Sequence, residues 1–357
     1  MFSMLNASLI DRLRSALPSW KNARLERLGY LIVSIVRNRT VNLAKRSAEA
    51  SGDLKDESLY RRFQNFFLHF AMPFDDIARL VVAKLSKPEG GWVLSMDRTN
   101  WKYGRTHLNL LVVAIVLDKV AIPVIWKALP RATKCGNSKA IHRIDLMKRL
   151  LRILPASDVK VLTMDREFIG KAWLQWLEDQ GVGYVVRIQG NTLVGGLPAS
   201  KRPPKSPCRR EIWGFELFFS GCPIHGKNTR DEFLYLASNR FHGKEALALY
   251  RRRWGIEQVF SHFKKRGFDL ETTHMSDPRK IEKLFGVLTL TFMFSYGWGC
   301  EMKSKTKLTA KQKRKNFFRL GLDRISQIFG NKEDFVVEIR AFLHWIDQPK
   351  YPSFLVV

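Results

Sequence analysis

Two short apolar runs in this chain end on the same pair of residues. WVLSM, residues 92–96, is followed by Asp97-Arg98, and VKVLTM, residues 159–164, by Asp165-Arg166. Runs of this length and apolarity read as buried strands. In open sheets the sites lie at the carboxyl ends of strands, which is where both aspartates fall. Around them the chain order is strand, hairpin, helix, strand, helix, strand. The hairpin is predicted from β-rich runs at 108–116 and 120–126 about Asp118-Lys119, and the first helix from apolar Ile144, Leu146, Met147, Leu150 and Leu151. A helix over 168–180 and a strand over 184–188 complete a mixed α/β core. The order breaks at 190–230, rich in Gly, Pro, Lys and Arg with one β-like piece at 211–219. The break reads as a basic insertion, and 233–237 restores a strand.

A third acid stands in a different setting. YRRRWGIEQVFSHFK, residues 250–264, has a helical pattern in which Tyr250, Arg253, Glu257 and Lys264 fall within about 60° of one another at 100° per residue. One carboxylate shares a stripe with an arginine, a lysine and a tyrosine, an arrangement suited to a metal ligand beside a nucleic-acid strand. Composition points the same way. Lys plus Arg is 61 against 33 Asp plus Glu, a formal net charge of +28, which calls for a polyanionic partner, nucleic acid being the commonest. A hydrophobic content of 45% with 24 Phe and 10 Trp excludes a disordered basic tail. Cys135, Cys208, Cys222 and Cys300 have neither zinc spacing nor a disulfide framework. The N-terminus has no signal-peptide pattern, and the longest apolar run, 287–300, is too short to cross a bilayer. The expectation is a soluble, cytoplasmic, nucleoid-associated protein with no membrane partner.

The ends of the chain read as helical. Leu13, Leu17, Leu25, Leu28, Leu31, Ile32 and Ile35 recur at near-helical spacing. A second pattern at 40–50, a Ser51-Gly52-Asp53 turn and the helix LYRRFQNFFLHF form helix-turn-helix grammar. That second helix would present Tyr60, Arg61, Arg62, Gln64 and Asn65 to phosphates and base edges; a plain helical bundle with a basic surface is the alternative. Lys87-Pro88-Glu89-Gly90-Gly91 reads as a linker. The expected organisation is a helical DNA-binding domain at 1–88, a catalytic domain at 89–300 with its β-rich insertion at about 190–232, and a basic helical C-terminal region at 301–357, suited to dimerisation or DNA contact.

Three oxygen-ligand acids suit Mg²⁺, with Mn²⁺ as the alternative ion, and two ions flanking one phosphodiester activate the attacking hydroxyl and stabilise the leaving oxygen. Taken singly, each aspartate also reads as a turn residue or a helix cap. Together the acids and their flanks carry a family resemblance. LSMDRTNWKYG, VLTMDREFIG and the Y-x2-R-x3-E-x6-K pattern resemble the DDE transposases of bacterial insertion sequences, in the cut-and-paste insertion sequence four family. The resemblance implies an RNase H-like fold with a β-rich insertion before the third acid. It places the catalytic acids and metal ligands at Asp97, Asp165 and Glu257, with two ions per active site. It also implies double-stranded DNA as partner, both transposon ends and target, handled by a homodimer in a synaptic complex.

The chemistry of the side chains then suggests roles. Arg253 and Lys264 would hold phosphates, Arg by its planar fork and Lys as a point charge. Tyr250 would donate to a phosphate near the cut; for Tyr250 and Trp254 core packing is the other reading. Arg98 and Arg166 either bind DNA or balance local charge. Trp213, within the insertion, is a candidate to stack on an extrahelical base or is simply packed. His262 and His274 lack metal spacing with any Cys. Two other functions compete with transposition: a metal-dependent nuclease of the same fold without strand transfer, and a non-catalytic DNA-binding derivative.

Overall fold

Helices come first. The structure, a computed structural model of the chain, describes residues 2–43, 56–117, 120–130, 138–202, 209–224, 233–305, 307–330 and 336–347. α1 (Phe2–Ala16) and α2 (Asn22–Asn38) pack on each other through the predicted apolar spacing, with Leu13, Leu17, Leu25, Leu28 and Leu31 buried. α3 (Asp56–His69) and α4 (Phe74–Lys84) follow. The predicted helical pattern at 40–50, past Leu43, and the Ser51-Gly52-Asp53 turn lie outside the described residues.

The apolar runs then become one mixed sheet of eight strands. β1 (Trp92–Tyr103) turns through Gly104-Arg105 into β2 (Thr106–Val116), and β3 (Ala121–Ala128) returns antiparallel to β2. After α5 (Ala140–Leu151) come β4 (Val159–Met164), α6 (Lys171–Asp179) and β5 (Tyr184–Ile188). β4 runs parallel to β1 on one side and to β5 on the other. A small hairpin, β6 (Leu193–Val194) and β7 (Leu197–Pro198), forms a separate two-stranded sheet; β8 (Arg209–Ile212), β9 (Phe215–Pro223) and β10 (Phe233–Ser238) extend the main one. The strand order is β3-β2-β1-β4-β5-β10-β9-β8. Leu94, Met96, Leu162, Met164, Val185 and Val186 are fully buried within it. This mixed α/β sheet flanked by helices has the RNase H-like arrangement expected.

Three local expectations change. β1 does not stop at Met96 but continues to Tyr103, because its partner β2 is a direct hairpin neighbour that keeps it hydrogen-bonded past the buried segment. Helix α6 starts at Lys171 rather than at 168, since the Phe168 amide closes a turn onto the Asp165 carbonyl at 2.9 Å. The strands β8 and β9, predicted as one extended piece of an insertion, form a hairpin that joins the main sheet beside β10.

The chain ends in helices again. α7 (Gly243–Arg251) lies on β4, β5, β9 and β10. α8 (Trp254–Ser261) leads into a π-helical turn, His262–Arg266. α9 (Pro278–Lys305) is buried all round over residues 284–300. It is followed by α10 (Ala310–Lys313), α11 (Phe317–Gly330) and α12 (Val336–Asp347). α9 and α11 cross so closely that a Cβ placed on Gly321 would lie 1.8 Å from the Ser295 carbonyl oxygen, and one on Gly299 1.8 Å from that of Phe317. Among the described residues no helix is long and apolar enough to cross a membrane.

The described chain groups into two compact units that cut across the linear division at 88 and 300. One holds residues up to 86, the hairpin tip Trp101–Leu108 and the helices from 259 on; the other holds Lys87–Asn100 and Asn109–Gln258.

Candidate active site

Register brings the first two acids together. Met96 pairs with Met164 across the parallel β1–β4 ladder, so the next residues, Asp97 and Asp165, emerge on neighbouring strands at about the 4.8 Å spacing of a sheet. The two carboxylates are held alike. Asp97 Oδ1 accepts the amide of Arg98 at 2.7 Å, and Asp165 Oδ1 accepts that of Arg166 at 2.8 Å. Asp165 follows its strand directly, as predicted; Asp97 lies within β1 rather than after it.

The third acid reaches the same place by a broken helix. The predicted continuous helix from Tyr250 to Lys264 is interrupted at Arg252-Arg253, where α7 ends and α8 begins. Arginines at 251–253 offer no apolar side chain to hold the helix axis straight. Gly255 then sets the helix on the sheet: a Cβ there would meet the backbone carbon of Val120 at 2.9 Å. From this turn the Arg253 side chain points inward. Its Nη1 donates to Asp97 Oδ2 at 2.7 Å and its Nη2 to Glu257 Oε1. The Arg253 guanidinium also lies 5.6 Å from the centre of the Tyr250 ring, and the Tyr250 hydroxyl is 3.4 Å from Asp165 Oδ1, a long contact. Asp97, Asp165 and Glu257 thus converge on the pair Tyr250 and Arg253.

Burial sets the electrostatics. Asp97 is pushed up to about 6, first by loss of water and also by the negative charges of Glu257 and Glu167, against the pull of Arg253 and the Arg98 amide. Burial also pushes the Tyr250 hydroxyl up to about 12. Arg253 loses hydration too, but Tyr250, Asp97, Glu257 and Asp165 outweigh that loss and hold it firmly charged.

The loop after Asp165 is wired by residues that sequence reading passed over. Arg98 forks onto Glu167, Nε to Oε1 at 2.6 Å and Nη2 to Oε2 at 2.7 Å. In this arrangement Arg98 balances a local charge, the second of its two readings. Arg143 is buried and donates to the carbonyls of Glu167 at 2.8 Å, Ile169 at 3.0 Å and Ser138 at 2.5 Å. A signal for it existed. Arg143, Leu146, Met147 and Leu150 share the buried face of α5, so an arginine stands in core phase.

The other predicted residues fall elsewhere. Lys264 sits in the π-helical turn 3.6 Å from Glu271, and burial lowers its pKa. Arg61 and Arg62 are exposed on α3. Trp213 is half-buried at the β8–β9 turn with a positive φ of 58°. Trp254 is 59% exposed, against the packing expected of it, whereas Tyr250 is buried as that reading had it. Arg166 is exposed. His262 is a core histidine against Phe318 and Phe292, lowered to about 4 by burial, and His274 lies against the ring of Tyr103. Cys222 and Cys300 are free thiols; Cys135 and Cys208 lie outside the described residues.

A sheet of this order, with acids on adjacent parallel strands and a third on a following helix, defines an RNase H-like polynucleotide-processing class. The family described as Transposase DDE domain matches residues 88–294, more than half of the chain, and the chain belongs to that family of DDE transposases. No curated protein matches the chain.

DDE transposases generally work with divalent metal ions, and the donor set here fits one: three carboxylates, oxygen ligands of the kind Mg²⁺ prefers, two of them paired with Arg253 and the third beside Tyr250. In their present arrangement no three His, Cys, Asp or Glu side chains among the described residues form a group able to hold an ion. The facing oxygens of Asp97 and Glu257 are turned onto Arg253.

Proposed function

We propose that this DDE transposase binds the terminal inverted repeats of an insertion sequence, cleaves the DNA by hydrolysis and joins the freed 3′-OH ends to target DNA. Within that family it would be kin to the cut-and-paste insertion sequence four group, whose signature is matched by Tyr250, Arg253, Glu257 and Lys264. The observation that carries the reading is the convergence of Asp97, Asp165 and Glu257 from three separate elements, two of them paired with the buried Arg253 and the third beside the Tyr250 hydroxyl.

Asp97, Asp165 and Glu257 are the residues that would hold Mg²⁺ or Mn²⁺, two ions per site. Such ions lower the pKa of bound water and neutralise charge on a phosphodiester when present. The protein's own part is positioning. The paired strands fix the two aspartates, and the Gly255 contact fixes the helix that carries Glu257. The Arg98–Glu167 fork and Arg143 keep the loop after Asp165 in place. Tyr250 and Arg253 orient a phosphate, the hydroxyl by one hydrogen bond and the guanidinium by its fork. Lys264 adds a further phosphate contact. Exposed Arg61 and Arg62 bind the duplex of the transposon end within a DNA-binding region at 1–88, and Trp213 stacks on an extrahelical base. Two copies of the chain pair the ends in a synapse.

The test is a linear fragment carrying the element's own ends, mixed with the protein and Mg²⁺, with products mapped on both strands. Cleavage at the ends and joining to a plasmid support the proposal. Cleavage without joining of a pre-cut end points instead to a nuclease, and full function after Asp97→Ala would sink the role of the acids.

A further inference from the structure

Arg253 is already committed. Its Nη1 and Nη2 hold one carboxylate each, Asp97 at 2.7 Å and Glu257. The remaining oxygen of Asp97 is also engaged, since Oδ1 accepts the Arg98 amide at 2.7 Å. Both oxygens of Asp97 therefore have donors before any ion is considered. An ion bound by Asp97 and Glu257 would have to share or take the lone pairs that now face the guanidinium, because a hard cation draws on the same oxygens. The contest is not screened away: the Arg253 side chain is 11% exposed and that of Asp97 17%.

The same guanidinium has a donor left over. Nε of Arg253 is buried and has no hydrogen-bond partner among the described residues. A buried donor without a partner is costly. An arginine fork uses paired donors to grip a phosphate, and Nε together with one Nη would make such a pair once a carboxylate is released. Arg253 stands in the break between α7 and α8, so its side chain is not tied to the direction of either helix.

We propose that Arg253 is a resident counter-cation, which competes with divalent ions for Asp97 and Glu257 and yields those oxygens when a DNA phosphate takes the guanidinium. The inference rests on the reading of these acids as metal ligands. Its consequence is mutual: DNA tightens the binding of the ion, and by linkage the ion tightens the binding of DNA by the same factor. Arg253 thereby delays loading of the site until a strand is at hand.

The experiment measures Mn²⁺ binding to the full chain at pH 8 and fixed ionic strength, by electron paramagnetic resonance of free Mn²⁺, first without DNA. Arg253→Gln should bind Mn²⁺ about tenfold more tightly than the wild type, the equilibrium equivalent of roughly one charge-assisted hydrogen bond. Arg253→Lys, a point charge unable to fork onto both acids, should show a smaller gain. A generic duplex, corrected for the Mn²⁺ it binds alone, should tighten binding to the wild type and do so less for Arg253→Gln. Asp97→Asn and Glu257→Gln separate the two levels of the argument. If these abolish Mn²⁺ binding while Arg253→Gln binds no more tightly than wild type, the counter-cation role is overturned and the metal ligands stand. If they leave Mn²⁺ binding unchanged, both fall. Should Arg253→Gln not fold by circular dichroism, Arg253→Lys and the duplex arm on the wild type decide. Absence of tightening by DNA then overturns the proposal.

Discussion

Helix α9 and the acidic site carried by β1 and β4 bury their residues on opposite principles. From Leu284 to Cys300 the helix carries no charge at all, and its Thr291 and Ser295 hydroxyls donate back to its own carbonyls at 2.8 Å. Its tightest contact is a backbone crossing at Gly299 and Gly321. At the acidic site the protein does the reverse. It gathers Asp97 and Glu257 beside Glu167 and lets one arginine offset them, yet Asp97 is still raised to about 6, chiefly by burial. The first region spends nothing on chemistry and is intolerant of volume. The second accepts a penalty in stability to keep acids close together, a cost that a purely structural element would have no reason to bear.

Substitutions should separate the two regions. The largest effect is expected from Glu257→Gln. Loss of a ligand whose ion supplies several kcal/mol of transition-state stabilisation should reduce end cleavage by about a thousandfold. The folding free energy should move by no more than about 1 kcal/mol, because the carboxylate is 31% exposed. Cleavage of a labelled end beside urea denaturation reads both; a large loss of stability would erase the contrast. Low salt should not rescue this variant, whereas a variant that lacks only a phosphate contact should recover in part.

Gly321→Val should do the opposite. With a Cβ 1.8 Å from the Ser295 carbonyl, the helices must part, at a cost of about 3 kcal/mol in urea denaturation. A near-neutral result would show that the crossing is loose.

Asp97 sharpens the comparison through pH. Its folded value of about 6 lies above the 3.8 of an unperturbed aspartate, so the folded protein holds the proton longer than the unfolded chain does. Its contribution to stability is therefore fully present below about pH 4 and is lost as pH rises through 6, on the order of 3 kcal/mol in all. Asp97→Asn cannot ionise. Its stability relative to wild type should rise over that window, in denaturation curves taken at each pH, and then level off. Parallel curves for the two proteins would remove the buried charge from the account.

The smallest effect concerns Trp213. Its left-handed backbone, φ 58°, at the two-residue β8–β9 turn suits asparagine far better than tryptophan. Trp213→Asn should stabilise the hairpin by up to about 1 kcal/mol in thermal unfolding. If the indole serves DNA, end processing should fall in the same variant. A variant that is both less stable and fully active would leave Trp213 as a packing residue.

What sequence made legible follows from what each signal measures. The runs at 159–164 and 184–188 coincide with β4 and β5 because continuous burial on both faces leaves no alternation to misread. The length of β1 was missed because its second half pairs with β2, a fact of hydrogen bonding that its mixed side chains, Arg98 to Tyr103, do not advertise. Periodicity placed Tyr250, Arg253 and Glu257 on one side correctly, yet it could not see the break at Arg252-Arg253, since three arginines fit a solvated helix as well as a turn. Nor does composition distinguish a surface arginine from Arg143 or Arg253; only its phase among apolar neighbours does. Glu167 was overlooked for a related reason. Its importance lies in the fork from Arg98, which is local neither to β4 nor to the DRE triplet it belongs to.

The placement of β10 next to β5 has a bearing on how such a chain changes over generations. β5 ends at Ile188 and β10 begins at Phe233, yet Tyr235 lies opposite Ile188, so the chain first builds the sheet edge with β8 and β9 and then comes back to pair with the strand it left. The loops that join these strands can lengthen or shorten at modest cost, since doubling a loop adds only about 0.6 kcal/mol of closure entropy. Meanwhile α7 and the turn that delivers Glu257 stay hung from β10. The distance in sequence from Asp165 to Glu257 is thus free to drift, and recognition by residue spacing fails across that gap where recognition by strand register would hold.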